Sequence, residues 1–303
     1  MDFKQLEAFV QISKLQSFSK ASEALYLTQP TLSNQINTLE KEIGTQLFVR
    51  STKKVYPTKA GVKFYEHAQN MLALRDQSLF EMGKFTKECA GEINILASSV
   101  PAQYLLPQLI SDFNKEYENI VFHLYQRDSG GVFKELSQYQ YDIGFVGTET
   151  ESCRYKLTTF CKDKIVLILP KSMRYTGGRT VSDIISFISK KNFIMREAGS
   201  GTRTKLETFL VNNNIREKDM KVVAYFSSTQ GIVEAVSKGL GISFVSKAAA
   251  TIYKRLNLVN MVEIDSEELS RDIFYVLKKD MVLTPAQELF INYAKNYYEK
   301  IKS

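Results

Sequence analysis

The amino-acid sequence predicts an α/β chain: a small helical module with a short hairpin, one long helix, then a larger α/β region of two lobes. Three observations carry the prediction. Apolar residues recur at helical spacing through 3–39, and a polar break follows Phe48. Residues 60–89 hold no proline and keep an apolar stripe at spacings of three and four. From residue 92 onward short apolar strands alternate with amphipathic helices, the pattern of a largely parallel sheet flanked by helices.

Composition bounds the rest. A chain of 303 residues is long enough for roughly two domains. With 44% hydrophobic and 24% charged residues it fits an ordinary globular protein, not a disordered or collagen-like one. No apolar run approaches the roughly 18 residues of a membrane span, and residues 1–10 mix Asp2, Lys4 and Glu7 with apolar residues, unlike a signal peptide. No membrane partner and a cytoplasmic location are expected. Three cysteines, an odd number, suit a reducing compartment and argue against a disulfide framework. The two histidines, His67 and His123, have no zinc-like spacing to cysteine, so neither a metal site nor a cofactor is expected. The net charge of +7 is a mild bias toward anionic partners. Between Ile43 and Tyr65 stand Arg50, Lys53, Lys54, Lys59 and Lys63 with no acid; taken alone, this run reads as a solvated surface.

The elements follow in order. Phe3, Leu6, Phe9, Val10 and Ile12 mark a first amphipathic helix. Ser17 can cap a second over 18–25, with Ala21, Ala24 and Leu25 as packing positions. After a turn at 26–28, Thr28 can cap a third helix whose first turn holds Pro30, where a missing N–H costs little. In this third helix Leu32, Ile36 and Leu39 face inward. The opposite face carries Gln29, Thr31, Ser33, Asn34 and Asn37, short polar side chains suited to base edges or phosphates, or simply to water. Residues 47–50 and 55–58 flank the polar 51–54 as in a small hairpin, a basic wing beside the third helix. Thr58 then caps the long helix, expected to run to about residue 89 and to end by Gly91.

Here a resemblance emerges. Leu6, Phe9, Ser17-Phe18-Ser19-Lys20-Ala21-Ser22, Leu25, Thr28-Gln29-Pro30-Thr31-Leu32-Ser33, Ile36, Leu39-Glu40, Gly44, Leu47-Phe48, Arg50 and Thr58-Lys59-Ala60-Gly61 resemble the winged helix-turn-helix of LysR-type transcriptional regulators, with the spacing intact across residues 1–61. The resemblance implies contact with double-stranded promoter or operator DNA by Ser17, Ser19, Lys20, Gln29, Pro30, Thr31, Ser33, Asn34, Asn37, Arg50, Ser51, Lys53 and Lys54. Family members often carry a basic residue just after the recognition-helix serine or a few positions on. Asn34 and Asn37 stand here instead, which favours adenine over guanine contacts. The resemblance also implies an antiparallel dimer of the long linker helix, and so a homodimer or homotetramer that presents two recognition helices to a pseudo-palindrome. RNA polymerase is a further candidate partner of such a regulator. The implied domains are 1–58 for DNA binding, 59–90 for the linker helix and 91–303 for effector binding.

In the last region, expected strands cover 92–97, 120–125, 142–146, 165–169, 193–195, 222–226, 242–245, 258–264 and 273–277. Expected helices cover 104–117, 133–139, 181–188, 202–212, 231–238 and 286–301. This resembles the family's effector domain, which has the fold of type II periplasmic binding proteins: lobe I from 91–168 and 268–303, lobe II from 169–267. Three loops run from a strand end into a helix and carry hydroxyls: Ser98-Ser99-Val100, the run from Glu197 through Gly199, Ser200, Gly201 and Thr202 to Arg203, and Ser227-Ser228-Thr229. Ligands of open α/β sheets sit at such strand ends, and helix N-termini favour anions. Any one of these serines alone would be a helix cap; three loops together point to a small, anionic effector, with Thr148 a further contact and Arg196 or Arg203 a counter-charge. The Gly-Ser-Gly-Thr-Arg run resembles a branch of the family associated with sulfur or selenium metabolism, although Ala198 stands where that branch has proline.

An enzyme is disfavoured, because no serine–histidine pairing or G-x-S-x-G elbow is present. A solute-binding protein would leave residues 1–61 without a role. A DNA-binding regulator with no small-molecule effector remains the plainest alternative.

Overall fold

The computed structural model describes every residue except 51–54, 84–88, 138–140, 151, 179 and 301–303, and at 50, 299 and 300 the backbone alone. Helix α1 (Phe3–Leu15) is opened by a capping box between Asp2 and Gln5 and closed by Gln16 in the left-handed region. Ser17 caps α2 (Phe18–Ala24), and Thr28 caps α3 (Gln29–Ile43), with Pro30 in the first turn and Gly44 left-handed at the end. Strands β1 (Phe48–Arg50) and β2 (Val55–Pro57) pair antiparallel as the expected hairpin. Glu40 ties it to α3 by accepting from the backbone N–H groups of Leu47 and Phe48 at 2.7 and 3.2 Å. Phe9, Ile12, Leu32, Ile36, Leu39 and Tyr65 form the buried centre of this module.

Helix α4 (Lys59–Met82) is capped by Thr58 and runs for 24 residues, about 36 Å at 1.5 Å per residue. The sequence expectation of a helix to about residue 89 is corrected: Gly83 is the C-cap, its N–H bonded to the Leu79 carbonyl. Only Gly61, Tyr65, Ala68 and Ala73 of α4 are buried, whereas Val62, Leu74, Leu79 and Met82 are exposed. Its middle grips the segment 280–283. Asn70 donates to the Asp280 carbonyl at 2.8 Å and accepts from the Val282 N–H at 3.0 Å, and Gln77 donates to the Leu283 carbonyl at 2.8 Å.

The remainder opens with β3 (Gly91–Ala97), a π-helical turn (Pro101–Leu105) running into α5 (Leu106–Asn114), β4 (Ile120–Gln126), α6 (Ser129–Leu136) and β5 (Ile143–Val146). A long β6 (Tyr155–Pro170) leads to α7 (Val181–Ile188), β7 (Asn192–Arg196), α8 (Gly201–Asn212), β8 (Lys221–Phe226) and α9 (Thr229–Ser237). Then come β9 (Ser243–Ser246), α10 (Lys247–Arg255), β10 (Val259–Val262), β11 (Ser270–Lys278) and α11 (Pro285–Lys300).

Strands line up as β10-β6-β11-β5-β3-β4, with β9 also on β6 and β7 paired to β8. The sheet is mixed, not largely parallel. Pairs β3–β4, β3–β5 and β7–β8 are parallel, as βαβ alternation requires. Strand β11 returns from the second half of the region and inserts antiparallel between β5 and β6, while β9 and β10 are antiparallel to β6. Apolar cores lie on both sides of this crossing, one around Phe113, Phe145 and Phe290, the other around Phe193, Phe209 and Phe244. Where the two crossing strands meet, Arg271 and Asp163 stand directly opposite each other.

Candidate functional site

Two surfaces carry chemistry. On α3 the buried positions Leu32, Ile36 and Leu39 turn the polar face outward. Gln29, Pro30, Thr31 and Asn34 are exposed, and Ser33 and Asn37 are half-buried on the same helix. The Thr31 hydroxyl lies 2.8 Å from that of Thr28, which orients it at the first turn. Ser17 accepts from the Lys20 N–H at 3.3 Å as the cap of α2, Lys20 is exposed, and the Ser19 hydroxyl donates to Glu23 at 3.5 Å. Arg50 is placed by its backbone opposite Val55; Ser51, Lys53 and Lys54 lie outside the described residues. Tyr26, in the turn before α3, is 96% exposed and held left-handed at φ 53°, a feature the sequence reading did not single out.

The second surface is a small cleft of about 320 Å³, its mouth included, at the strand ends beside the crossing. Ser98, Ser99, Val100, Arg196, Ser200, Gly201 and Thr202 of the residues expected there do line it. The Ser98, Ser200 and Thr202 side chains are buried, at 8%, 4% and 5% exposure, and their hydroxyls have no hydrogen-bond partner among the described residues. Ser99 accepts from Gln126 at 3.3 Å. Thr148 backs Gly201: a Cβ there would stand 2.7 Å from the Thr148 methyl. Gly199 adopts φ +87°, a conformation that favours glycine.

Other expected residues act at one remove or face elsewhere. Glu197 clamps the buried Arg196 through two hydrogen bonds of 2.7 and 2.8 Å. Thr229 accepts from Arg196 at 2.8 Å, and Ser228 caps α9 by accepting from the Gly231 N–H. The third loop therefore positions Arg196 and does not itself line the cleft. Arg203 points away: it binds Glu207 and Glu217 at 2.6 and 2.9 Å, donates to the Arg196 carbonyl, and lies over the Tyr225 ring. The Glu207 hydrogen bond raises its pKa.

Three polar lining residues were missed, along with Pro101, Gly147 and Ile273. Asp128 and Ser129 begin α6 directly after β4, at a strand-to-helix junction of the same kind as the three chosen loops. The signal, Arg127-Asp128-Ser129-Gly130-Gly131, was present, but the helix was expected to start only at residue 133. Arg271 had no local signal, because its place depends on β11 inserting beside β6. Its Nε and Nη2 donate to Asp163 at 3.1 and 2.9 Å, and Asp163 also accepts from Ser246, the cap of α10, at 2.7 Å. Tyr104 on the π-helical turn lies near Tyr253 on α10. Burial first, then the Tyr253 hydroxyl, push the Tyr104 pKa up to about 12, while Arg196 pulls it down. Among the described residues no group of three His, Cys, Asp or Glu could hold a metal ion, and no helix is long and apolar enough to cross a membrane.

Comparison with known proteins places this geometry. Residues 3–62 match the bacterial regulatory helix-turn-helix protein, lysR family, and residues 87–299 match the LysR substrate binding domain. The chain is 34% identical over 272 residues to the uncharacterized HTH-type transcriptional regulator MJ0300 of Methanocaldococcus jannaschii, covering 89% of this chain and 90% of that protein. It is 29% identical over 299 residues to the HTH-type transcriptional regulator CysL of Bacillus subtilis, covering 99% and 98%. In fold it is similar to a full-length OxyR variant from Pseudomonas aeruginosa, with a TM-score of 0.73, 18% identity, and 97% and 95% of the two chains covered. The chain belongs to the LysR-type transcriptional regulators, a family of DNA-binding proteins and not of enzymes, with an N-terminal helix-turn-helix and a substrate-binding domain of α/β fold.

Proposed function

We propose that this regulator reads promoter DNA through α3 and is controlled by a small anionic effector held in the cleft at the β6–β11 crossing. One observation carries the effector reading: Arg271, its side chain 7% exposed, keeps its Nη1 free of protein partners among the described residues and turned to a wall of unpartnered hydroxyls. A guanidinium only donates, so this open nitrogen suits an acceptor that enters the cleft, and an anion best. The proposed contacts to DNA are those of the Gln29–Asn37 face, with Ser17, Ser19, Lys20, Arg50, Ser51, Lys53 and Lys54 on the backbone. Ser98, Ser99, Val100, Ser200, Gly201 and Thr202 surround the effector, Thr148 and Gly199 shape its walls, and Glu197, Ser228 and Thr229 act from behind, on Arg196 and the start of α9.

The proposed division is 1–58, 59–90 and 91–303, with lobes 91–168 plus 268–303 and 169–267; the crossing at Asp163 and Arg271 supports it. The exposed Val62, Leu74, Leu79 and Met82 support a homodimer through α4, since so long a stripe needs a cover. Two such dimers make the tetramer. Closure of the lobes on a ligand shifts their population and so the spacing of bound dimers. The protein acts in the cytoplasm, with RNA polymerase as a further partner. The Gly199–Arg203 run places sulfur and selenium oxyanions first among effectors to try. Gel shifts and footprinting on the DNA upstream of its own gene, titrated with sulfite, sulfate, selenite and organic acids, test the proposal. A ligand-dependent change in protection is expected; unchanged protection with every anion overturns effector control.

A further inference from the structure

We infer that the cleft selects an oxyanion that carries its own proton, and that Asp128 is the residue that makes the selection; this rests on the proposed reading of the cleft as an anion site. The donors come first. Every nitrogen of Arg196 is engaged by Glu197, Thr229 or the Ser227 carbonyl. Arg203 faces the other way. Arg271 is different: Asp163 holds Nε and Nη2, while Nη1 lies 3.3 and 3.6 Å from where side chains on Gly147 and Gly201 would begin. Bulk at either glycine would close off that nitrogen. Ser98, Ser129, Ser200 and Thr202 line the same cleft; the residues are buried, and their hydroxyls have no partner among the described residues. Among the described residues no aromatic ring lines the cleft. Such a set suits a compact oxyanion.

Asp128 then limits which oxyanion fits. It is the only carboxylate among the lining residues and is exposed at the mouth. Its Oδ1 caps α6 by accepting from the Gly131 N–H at 2.9 Å. Its Oδ2 has no partner among the described residues and lies 3.3 Å from where a Cβ on Gly199 would stand, facing the loop that begins α8. Glu197 and Asp163 are matched by Arg196 and Arg271, so the Asp128 charge is the unmatched one in the lining.

A hydroxyl rotates to donate or accept, and a guanidinium only donates, so neither group distinguishes a protonated oxyanion from a bare one. A carboxylate only accepts. Against a fully deprotonated anion, Oδ2 is repulsive at short range. Against an anion that keeps a proton, it accepts an O–H···O⁻ bond, one of the strong charge-assisted kind. One proton on the ligand therefore reverses the sign of the contact.

Phosphate and sulfate are the probes. Both are tetrahedral and of similar size, but near neutral pH phosphate keeps a proton and sulfate keeps none. Calorimetric titration of the full-length protein is expected to show phosphate binding at least about tenfold tighter than sulfate, a difference of about 1.4 kcal/mol. Asp128→Asn keeps the α6 cap, because asparagine caps as well as aspartate, and supplies an amide donor. In that variant the ratio is expected to fall to about threefold or less. Equal affinities in the wild type, a preference that survives in D128N, or no phosphate binding by the wild type overturns the assignment. Ser200→Ala separates it from the wider reading. Should the wild type bind sulfate as tightly as phosphate and Ser200→Ala weaken both, the cleft remains an anion site and only the role of Asp128 falls. Should neither protein take up either anion, the anionic effector falls with it.

Discussion

Two positions concentrate consequences far from their neighbours in sequence. Gly61 sits where α4 leaves the hairpin, and a Cβ there would stand 2.2 Å from the Leu47 carbonyl oxygen, a backbone atom that cannot step aside. Gly61→Ala is expected to lower the stability of the N-terminal module by about 1–3 kcal/mol, the range for overpacked sites. A thermal melt of the variant would show it, with DNA binding lost at the same temperature. Asp163 and Arg271 form a pair with side chains 4% and 7% exposed at the crossing of the strands. Removing one partner strands a buried charge, so Asp163→Ala is expected to cost about 3–5 kcal/mol. The double variant Asp163→Leu/Arg271→Met should recover most of that in a urea titration while losing the effector. Neither pairing was readable beforehand. Gly61 stood in the helix-turn-helix motif with no sign of what it packs on, and the register that sets Arg271 opposite Asp163 joins residues over a hundred apart.

Elements set by local chemistry were legible. Ser17, Thr28 and Thr58 each cap a helix with a side-chain oxygen, and the apolar spacing of Leu32, Ile36 and Leu39 fixed the inward face of α3. Elements that depend on distant partners were not. The first half of β6, residues 155–164, alternates buried Cys161 and Asp163 with exposed Lys162 and Lys164, and it needs β11 alongside to be a strand. Helix α10 was missed because its inward face is the small Ala249 and Ala250, which give little apolar signal. The grip of α4 on residues 280–283 was equally invisible, since it uses side-chain amides on backbone groups. Asn70→Ala removes both of its hydrogen bonds to that segment, and each such bond is worth about 0.5–1.5 kcal/mol. Faster amide exchange at Val282 is expected, with no change in α1 or α3; unaltered exchange would mean that the segment is held by other contacts.

Across the whole molecule, the two α/β halves meet at the cleft and at the Tyr104–Tyr253 pair. Burial raises the Tyr104 hydroxyl from an ordinary value of 10.0 to about 12. Between those values the unfolded chain releases a proton that the native chain retains, so this group loses its stabilising contribution as pH rises through that window. Tyr104→Phe should flatten the fall of the urea midpoint between about pH 10 and pH 12. A fall as steep as the wild type's would assign the effect to other buried tyrosines such as Tyr298, whose pKa burial also raises. At this scale the sequence showed the order of units correctly but not the mixed sheet, because alternation of strands and helices is silent about a strand that returns late and inserts between two earlier ones. The proposed DNA recognition turns on residues 29–37 meeting the edges of base pairs. The most direct check compares the wild type with Asn34→Ala on the specific operator and on random DNA at the same salt. Base readout predicts a loss of about 1–3 kcal/mol on the operator and almost none on random DNA. Equal losses on both, or a wild type that binds every fragment alike, would contradict it.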